Sequence, residues 1–393
     1  MVDYDPYMEE IMENPYPIYR QLRDESPVHF IEEYNCWFLS RFETIWDAAC
    51  DSTHFHTMKG TTPGHLLTRD TPATMSLNAY DPPEHTQRRA QVKALFQPAG
   101  LKDLRVQIQQ LATQLVDELL ERGEGDLVED FGAKIAVTGA LLAGGMPLEI
   151  RDQAIEWVNG IMHRTPGHKG ATDVVNKAGR EMFFWCLELT QEMRKHPEKA
   201  TGVLHTLLTQ KIDGEPIDDA AVASTLSLVM IGGSDTFPKA LGATLHRLWQ
   251  HPDQRAAVIA DPKLTRGAFL EALRLDTPTQ MLGRTCVEAT EIEGHRIEPG
   301  QGVMFLWPSA NRDEREFGEP DRYDLNRKPL RMLAFGQGAH MCIGHHVAKM
   351  EADVAMRELL SRAPNYEIRE ADAQRNRTEF VQGWMELPAS FQS

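Results

Sequence analysis

The chain has 393 residues and a formal net charge of −17. This acidic balance excludes a general affinity for nucleic acid, because phosphate binding needs a basic surface. The first ten residues lack an apolar signal-peptide core and no stretch of eighteen apolar residues occurs, so we expect no membrane anchor. Five scattered cysteines fit a reducing cytoplasm, and the absence of a linker predicts one domain over residues 1–393.

The N-terminal part of the chain predicts short elements and one long loop. Residues 14–30 predict a helix stopped by Pro27 and then a strand, and residues 42–51 predict another helix. Residues 56–80 are rich in Gly, Pro and Thr and have little apolar periodicity. They predict a long loop, and loops of that length are often functional lids.

Residues 81–96 predict a helix with a Pro-marked start. His85 and Arg89 are four residues apart, so they share one helical face. That face is either a solvated basic surface or a partner for buried anions. Arg88 and Lys93 lie elsewhere on the same helix and are free to face another protein.

Amphipathic helices dominate residues 100–220. One of them, residues 104–123, ends at a glycine, as helices often do. The interval 162–171 (MHRTPGHKGA) breaks the pattern with proline and glycine. We expect a loop here that opens and closes over a pocket.

Residues 221–250 form the longest helical pattern, apolar nearly all round in its first half, which predicts a central buried helix. The interval 232–236 (GGSDT) interrupts it. Two helical glycines cost roughly 1 kcal/mol each relative to alanine, so a plain core helix has no reason to carry them beside an acid. Pro238 removes the N–H that would bond the Ser234 carbonyl group, and therefore predicts a kink.

Residues 267–276 predict a helix in which Glu271 and Arg274 are three apart, the spacing of an ion pair. Strands follow over residues 281–307, with a hairpin turning at Gly294. A last hairpin is predicted in the tail, residues 379–388, with a tip directed at a pocket.

The segment FGQGAHMCIG, residues 335–344, places Cys342 in a glycine-rich loop before a predicted helix over residues 345–360. Free N–H groups at a helix start stabilise a thiolate, which is a strong metal ligand. Gly338 and Gly344 leave room for a flat cofactor near the backbone. A single cysteine near a helix start is, however, usually a small buried hydrophobe.

The spacing Phe-x-x-Gly-x-x-x-Cys-x-Gly resembles the haem-ligand loop of the cytochrome P-450 family, in particular its bacterial soluble haem-thiolate monooxygenases. The intervals 232–236 and 271–274 resemble the family's oxygen groove and its Glu-x-x-Arg motif, and the resemblance extends over residues 14–388. It implies a mainly α fold with a small β region, the triangular-prism fold. It also implies haem b (iron protoporphyrin IX), with Cys342 as the axial thiolate on iron.

The resemblance implies roles for further residues. Four would contact the haem propionates: His85, Arg89, Arg284 and His340. Two more would lie against the haem: Phe335 and Gly344. Protons would reach dioxygen through Asp235 and Thr236, and the cysteine loop would be held by Glu271, Arg274 and Arg327. Seven would line the substrate pocket: Val229, Met230, Gly233, Thr279, Met281, Leu282 and Trp384.

The implied activity is insertion of one oxygen atom from O₂ into a small or medium lipophilic substrate. The sequence has no GxGxxG nucleotide loop and no flavin domain. We therefore expect a monomer that takes electrons from a separate two-iron two-sulfur ferredoxin and its NAD(P)H-dependent reductase, docked at Arg88, Lys93 and Lys349. Three alternatives are a peroxide-driven peroxygenase, a non-enzymatic haem sensor, and a haem-free helical binding protein with a structural Cys342.

Overall fold

The computed structural model describes residues 2–70, 75–165 and 167–391. The helices are α1 Glu9–Glu13, α2 Tyr16–Glu25, α3 Phe42–Cys50, α4 Pro63–Leu66, α5 Glu84–Lys93, α6 Lys102–Arg122, α7 Lys134–Gly144, α8 Arg151–Met162, α9 Asp173–Lys195, α10 Gly202–Thr209, α11 Asp219–Ser234, α12 Thr236–Gln250, α13 Pro252–Ala260, α14 Thr265–Leu275, α15 Trp307–Ala310 and α16 His345–Arg362. A π-helical segment, Leu127–Ala133, precedes α7. The prediction of a mainly α protein is confirmed.

The strands are short and form small sheets. They are β1 Val28–Ile31, β2 Cys36–Leu39, β3 Phe55–His56, β4 Glu124–Asp126, β5 Lys211–Ile212, β6 Glu215–Pro216, β7 Met281–Cys286, β8 Thr290–Ile292, β9 His295–Ile297, β10 Gly302–Leu306, β11 Glu367–Ile368, β12 Gln374–Asn376, β13 Gly383–Glu386 and β14 Pro388–Ser390. The largest sheet that these strands form has the order β1-β2-β10-β7-β3, in which only β2 and β10 run parallel. The hairpin predicted at Gly294 is formed by β8 and β9.

Helices α11 and α12 are one long helix interrupted at a single residue. The Asp218 side chain caps the start of α11 by accepting a hydrogen bond from the Ala221 N–H at 2.8 Å. The helix stops at Ser234, and α12 begins after Asp235. The predicted break is therefore observed, three residues before Pro238, as expected for a proline that removes the N–H facing the preceding turn.

The run Asp219–Gln250 has the length and apolar character of a possible membrane-spanning helix, with a mean hydropathy of 1.2 over an 18-residue window. However, 56% of that window is buried inside the fold. Helix α11 packs on α7 and α9, and α12 packs on α14 and on the π-helical segment. The apolar composition therefore belongs to a core helix, as the sequence predicted.

Helix α16, which follows the cysteine loop, is anchored in the largest apolar cluster. It packs on α6, α7 and α14, and Val354 and Leu359 are fully buried there beside Ile108 and Val116. The bounds predicted for these helices are nearly correct, since α6 ends at Gly123 in the left-handed conformation and α16 begins at His345. The position of the cysteine loop is thus fixed by the core.

The two predicted loops differ from expectation in detail. The loop at 56–80 contains the short helix α4, whose Thr62 hydroxyl accepts a hydrogen bond from the His65 N–H. Residues 71–74 of this loop lie outside the described residues. The break at 162–171 does connect α8 to α9, and its Pro166 lies outside the described residues as well.

Candidate functional site

The cysteine loop is closed by backbone hydrogen bonds and by one close packing contact. The Cys342 N–H donates to the Phe335 carbonyl group at 2.8 Å, and the Gly336 N–H donates to the Leu333 carbonyl group at 2.9 Å. Gly338 has φ +74°, and a Cβ there would lie 2.3 Å from the carbonyl oxygen of Ala49. Glycine is therefore required at 338, both by the backbone conformation and by contact with α3.

The Cys342 side chain is exposed, yet protein atoms surround it on most sides. We infer from these two facts that the sulfur faces an open space inside the fold, called the cleft below. Burial raises the pKa of the Cys342 thiol, while the Gly344 N–H, the Arg89 guanidinium and the Lys349 ammonium act in the opposite direction. These donors favour the thiolate, the form in which cysteine binds a metal. Gly344 has an ordinary negative φ, and a Cβ there would come only to 3.9 Å from the sulfur.

Four basic side chains converge beside this loop. The rings of His85 and His340 stack with centroids 4.0 Å apart, and Arg89 donates a hydrogen bond to the Met341 carbonyl group. Arg284 is buried, lies over the Phe305 ring at 5.6 Å and donates to the Gly283 carbonyl group at 2.8 Å. The structure therefore brings together all four residues that the sequence predicted as propionate contacts.

Burial and mutual repulsion disfavour positive charge on the side chains of this cluster. Burial, with Arg89 and Arg284 adding repulsion, lowers the pKa of His85 to about 4. Burial, Arg284, His85 and Arg89 lower that of His340 to about 2. Burial lowers the pKa of Arg284 to about 10. A nearby anion would reverse these shifts.

Among the described residues, neither Arg89 nor Arg284 forms an ion pair with a carboxylate. The nearest acid acting on Arg284, Asp81, already accepts hydrogen bonds from the N–H groups of Thr57 and Met58 at 2.8 and 3.1 Å. Buried cations without an acid are costly, so the cluster fits a ligand that brings its own anionic groups. Haem does so with its two propionates, and Cys342 beside the cluster fits its iron.

Helix α11 presents one face to the cleft. Val229, Gly232 and Thr236 follow the helical spacing of that face and are exposed or half-buried, and a Cβ at Gly232 would meet nothing within 4 Å. The Thr236 hydroxyl donates to the Gly232 carbonyl group at 3.4 Å. Val229 and Thr236 therefore lie on one helical face with Gly232, which belongs to the predicted oxygen groove but was not among the predicted pocket residues.

Gly233 and Met230 lie on the faces of α11 that pack against the protein interior. A Cβ on Gly233 would lie 2.9 Å from the Cβ of Ala140 on α7, and Met230 is fully buried in the apolar cluster with Val137 and Leu141. The prediction that both line the pocket is wrong. A shift of one residue turns the direction by about 100°, which two adjacent glycines in the sequence do not reveal.

Asp235 is buried and paired within its own helix. The Lys239 ammonium, also buried, bonds the Asp235 carboxylate and lies 3.2 Å from the Asp235 carbonyl oxygen. Sequence reasoning missed Lys239, although the i,i+4 spacing of acid and lysine signalled such a pair.

On strand β7 the predicted pocket residues alternate between two sides. Leu282 and Arg284 share one face of the strand, whereas Met281 lies on the opposite face, fully packed in the apolar cluster with Leu66 and Leu306. Met281 is therefore a core residue, and the prediction that it lines the pocket is wrong. Leu282 is partly buried on the other face of the strand. The register against β10 pairs Leu282 with Phe305, beside the Arg284 side chain.

The tail hairpin reaches this region through its tip, but not through Trp384. Val381 forms a β-bridge with Thr279, and the Gln280 N–H donates to the Phe380 carbonyl group at 2.7 Å. The Trp384 ring instead packs on His246 at 4.8 Å, far along α12 from Thr236. The observed hairpin joins β12 to β13 and so begins before the predicted residues 379–388, and its connecting loop lies beside Thr279. The prediction of Trp384 as a pocket residue is wrong, because β13 packs along α12.

The predicted structural motif is present as a buried network. The Glu271 carboxylate accepts two bonds from Arg274, at 2.9 and 2.8 Å, and one from Arg327 at 2.9 Å. Arg274 also donates to the carbonyl groups of Asn311 and Pro320, at 2.8 and 2.7 Å. The side chains of Glu271 and Arg274 have almost no exposure, so helix α14 holds the segment that leads to the cysteine loop.

The three expected docking residues differ in availability. Lys93 is exposed. Arg88 instead pairs with Glu84 at 2.7 Å and lies over the Tyr80 ring at 4.0 Å. Lys349 is half-buried and lies 5.0 Å from the centre of the Phe335 ring, which places both beside the cysteine loop. Arg88 is therefore already engaged.

The chain matches proteins of known type along its whole length. The family model described as Cytochrome P450 matches residues 171–382. A putative cytochrome P450 123 from Mycobacterium tuberculosis (strain ATCC 25618 / H37Rv) is 32% identical over 391 residues, covering 99% of this chain and 97% of the relative. The solved structure of the Bacillus subtilis 168 bacillaene polyketide synthase cytochrome P450 PksS matches with a TM-score of 0.88 and 27% identity, over 100% of both chains. That of P450BioI in complex with an acyl carrier protein bearing hexadec-9Z-enoic acid matches with a TM-score of 0.85 and 26% identity, over 98% of this chain and 99% of the other.

The fold, the cation cluster and these matches together define the class of protein. The chain is a haem-thiolate monooxygenase, which is an oxidoreductase with haem as its cofactor. The chain belongs to the cytochrome P450 family. The fold expected from the sequence resemblance is confirmed by the structural matches.

Proposed function

We propose that this protein hydroxylates a small or medium lipophilic molecule with O₂, using electrons from a separate two-iron two-sulfur ferredoxin and its NAD(P)H-dependent reductase. The observation that carries the proposal is the cluster of His85, Arg89, Arg284 and His340, without an acid partner among the described residues, directly beside Cys342. The whole machinery lies in one domain, residues 1–393, that acts as a monomer in the cytoplasm.

In this proposal Cys342 holds the haem iron, and the four basic residues hold the propionates. Haem bound through a thiolate supplies the activation of O₂ for insertion of one oxygen atom into a C–H bond. Phe335, held beside Lys349, shields the sulfur from water. The network of Glu271, Arg274 and Arg327 keeps the cysteine loop in place without touching substrate.

Protons reach the oxygen-binding side through Asp235 and Thr236. The position of Thr236 directly after the interruption between α11 and α12, one turn from the open position at Gly232, supports this role. The Thr236 hydroxyl is bonded only weakly, at 3.4 Å, to a carbonyl group of its own helix, so it can turn to donate elsewhere. General acid catalysis by such a group typically contributes about 100-fold or more.

The substrate class follows from the lining of the cleft. Val229, Gly232 and Leu282 supply apolar surface, and Thr236 and Thr279 supply hydroxyl groups. Such a mixture suits a lipophilic molecule with few polar groups, such as a terpenoid, steroid, fatty or aromatic compound. PksS belongs to a bacillaene polyketide synthase, and P450BioI forms a complex with an acyl carrier protein that bears hexadec-9Z-enoic acid. These two matches support including fatty acyl compounds.

The proposal is tested by adding a panel of these compounds to the purified holoenzyme. A low-to-high-spin shift of the Soret band identifies ligands, and each ligand is then incubated with ferredoxin, reductase, NAD(P)H and ¹⁸O₂. We expect one ¹⁸O atom per product. Product formed with H₂O₂ alone at the same rate, and none with ferredoxin, would instead identify a peroxygenase.

A further inference from the structure

Lys239 is a buried lysine within the proposed proton path. It lies one turn after Asp235 on α12 and is only 6% exposed. Its ammonium bonds the Asp235 Oδ1 atom and lies 3.2 Å from the Asp235 carbonyl oxygen. A buried ammonium is stable only with such a partner, and the partner is equally dependent on it.

Gly383 at the start of β13 leaves space for the Lys239 side chain. Gly383 has φ +147°, and a Cβ there would lie 2.6 Å from the Lys239 Cβ and 3.0 Å from its Cγ. Any other residue at 383 would collide with the lysine stem and adopt a strained backbone. The space occupied by Lys239 thus depends on a glycine in a different element, independently of the ion pair.

The two carboxylate oxygens of Asp235 differ in their contacts. Oδ2 is buried and forms no hydrogen bond within the described part of the chain, while Oδ1 is bound by Lys239. The Lys239 ammonium is the cation that bonds this buried carboxylate in the described part of the chain, and it leaves Oδ2 free to accept a hydrogen bond.

We propose that Lys239 is a positioning residue that keeps Asp235 ionised and leaves Oδ2 as the proton-accepting atom of the relay to Thr236. The inference rests on the proposed function and deepens it. In each cycle a hydronium ion of the solvent loses a proton to Oδ2 and becomes water. The new Oδ2–H bond then breaks as the Thr236 Oγ atom takes that proton, while the hydroxyl proton of Thr236 moves on toward the oxygen-binding side. Asp235 thereby returns to its carboxylate form beside Lys239.

The state of Asp235 is measured by infrared spectroscopy of the holoenzyme, without substrate. Lys239→Met has a stem of similar length but no charge, so Asp235 should become protonated. We expect Lys239→Met to gain a carboxylic-acid C=O band that is missing in the double variant Lys239→Met/Asp235→Asn, in the wild type and in the charge-conserving Lys239→Arg. Lys239→Gln serves as a second neutral variant if Lys239→Met does not retain haem. Absence of the band from both neutral variants would overturn the role of Lys239.

Peroxide release per O₂ consumed links the pair to the relay. Lys239→Met and Asp235→Asn should each raise the peroxide released per O₂. The double variant should exceed the larger of the two single increases by no more than about twofold, because both substitutions disrupt the same ion pair. If the increases of the two single variants multiply in the double variant, the two residues act independently and the proposal is overturned. Unchanged peroxide release in Asp235→Asn would overturn the proton-delivery role itself, whereas a missing infrared band overturns only the assignment of Lys239.

Discussion

Gly232 and Gly233 are neighbours in α11 but lie against different surroundings. Gly232 is open to the cleft, while a Cβ on Gly233 would come within 2.9 Å of Ala140 on the packed helix α7. One glycine therefore keeps space for a ligand, and the other permits two helices to approach closely. Substitutions at these two neighbouring glycines therefore test the orientation of α11 relative to the cleft.

Alanine at these two positions should have opposite effects. Gly233→Ala forces a methyl group onto Ala140 and should lower the free energy of unfolding by about 1–3 kcal/mol. Gly232→Ala should raise it by up to about 1 kcal/mol through helix propensity, and should weaken ligand-induced spin shifts by filling the cleft. Denaturant titration and Soret titration of both variants measure this. If Gly232→Ala lost more stability than Gly233→Ala, the orientation of α11 described here would be contradicted.

The buried network of α14 should be required for haem retention. Arg274→Ala leaves Glu271 without its main partner and frees the carbonyl groups of Asn311 and Pro320, a loss of about 3–5 kcal/mol. The ratio of Soret to protein absorbance should fall strongly after purification. Arg322→Ala, whose side chain is 58% exposed, is the matched control and should retain haem. Normal haem content in Arg274→Ala would refute the structural role.

Removal of the Thr236 hydroxyl should divert electrons to peroxide. Thr236→Ala loses the donor at the cleft and should lower coupled product formation by roughly 100-fold, the lower end for a general acid, with matching H₂O₂ release. Thr244→Ala is the control, because its hydroxyl makes the same kind of bond, to the Ala240 carbonyl group at 2.7 Å, in the buried part of α12. Fully coupled turnover by Thr236→Ala would argue against the proton path.

Acid stability should depend on Asp276. Burial alone would raise its pKa, but the paired Arg247 and nearby Arg312 bring it below the ordinary 3.8. Since the folded pKa is depressed, the pair stabilises the fold above pH 3.8 and this contribution is lost as the pH falls through the folded pKa. Asp276→Asn should lose about 3 kcal/mol at neutral pH and show a shallower loss below pH 4. An unchanged acid slope in urea titrations would exclude this role.

Features carried by local spacing were predictable from the sequence. The loop before α16, the break at Asp235 and the pairing of Glu271 with Arg274 all follow from motifs a few residues long. Arg327 is 56 residues from Glu271 and was implied only by the family resemblance. The long helices were equally accessible, because their apolar periodicity and glycine ends are local signals.

Features that depend on the direction of a side chain in the folded protein could not be predicted from the sequence. Met281 and Trp384 are apolar residues in the right elements, but the face of β7 and the course of β13 decide where they lie. The Asp235–Lys239 spacing signalled an ion pair, but the sequence did not show that both side chains are buried. Gly383, the residue that makes room for Lys239, is 144 positions away and signals nothing locally.

The central claim is that Cys342 binds the haem iron as a thiolate. The direct measurement is the absorption spectrum of the reduced holoenzyme under carbon monoxide. We expect the red-shifted Soret band typical of a thiolate ligand in the wild type, and its replacement by an unshifted band in Cys342→His. A wild-type spectrum without the red-shifted band, or a variant that keeps it, would contradict the account.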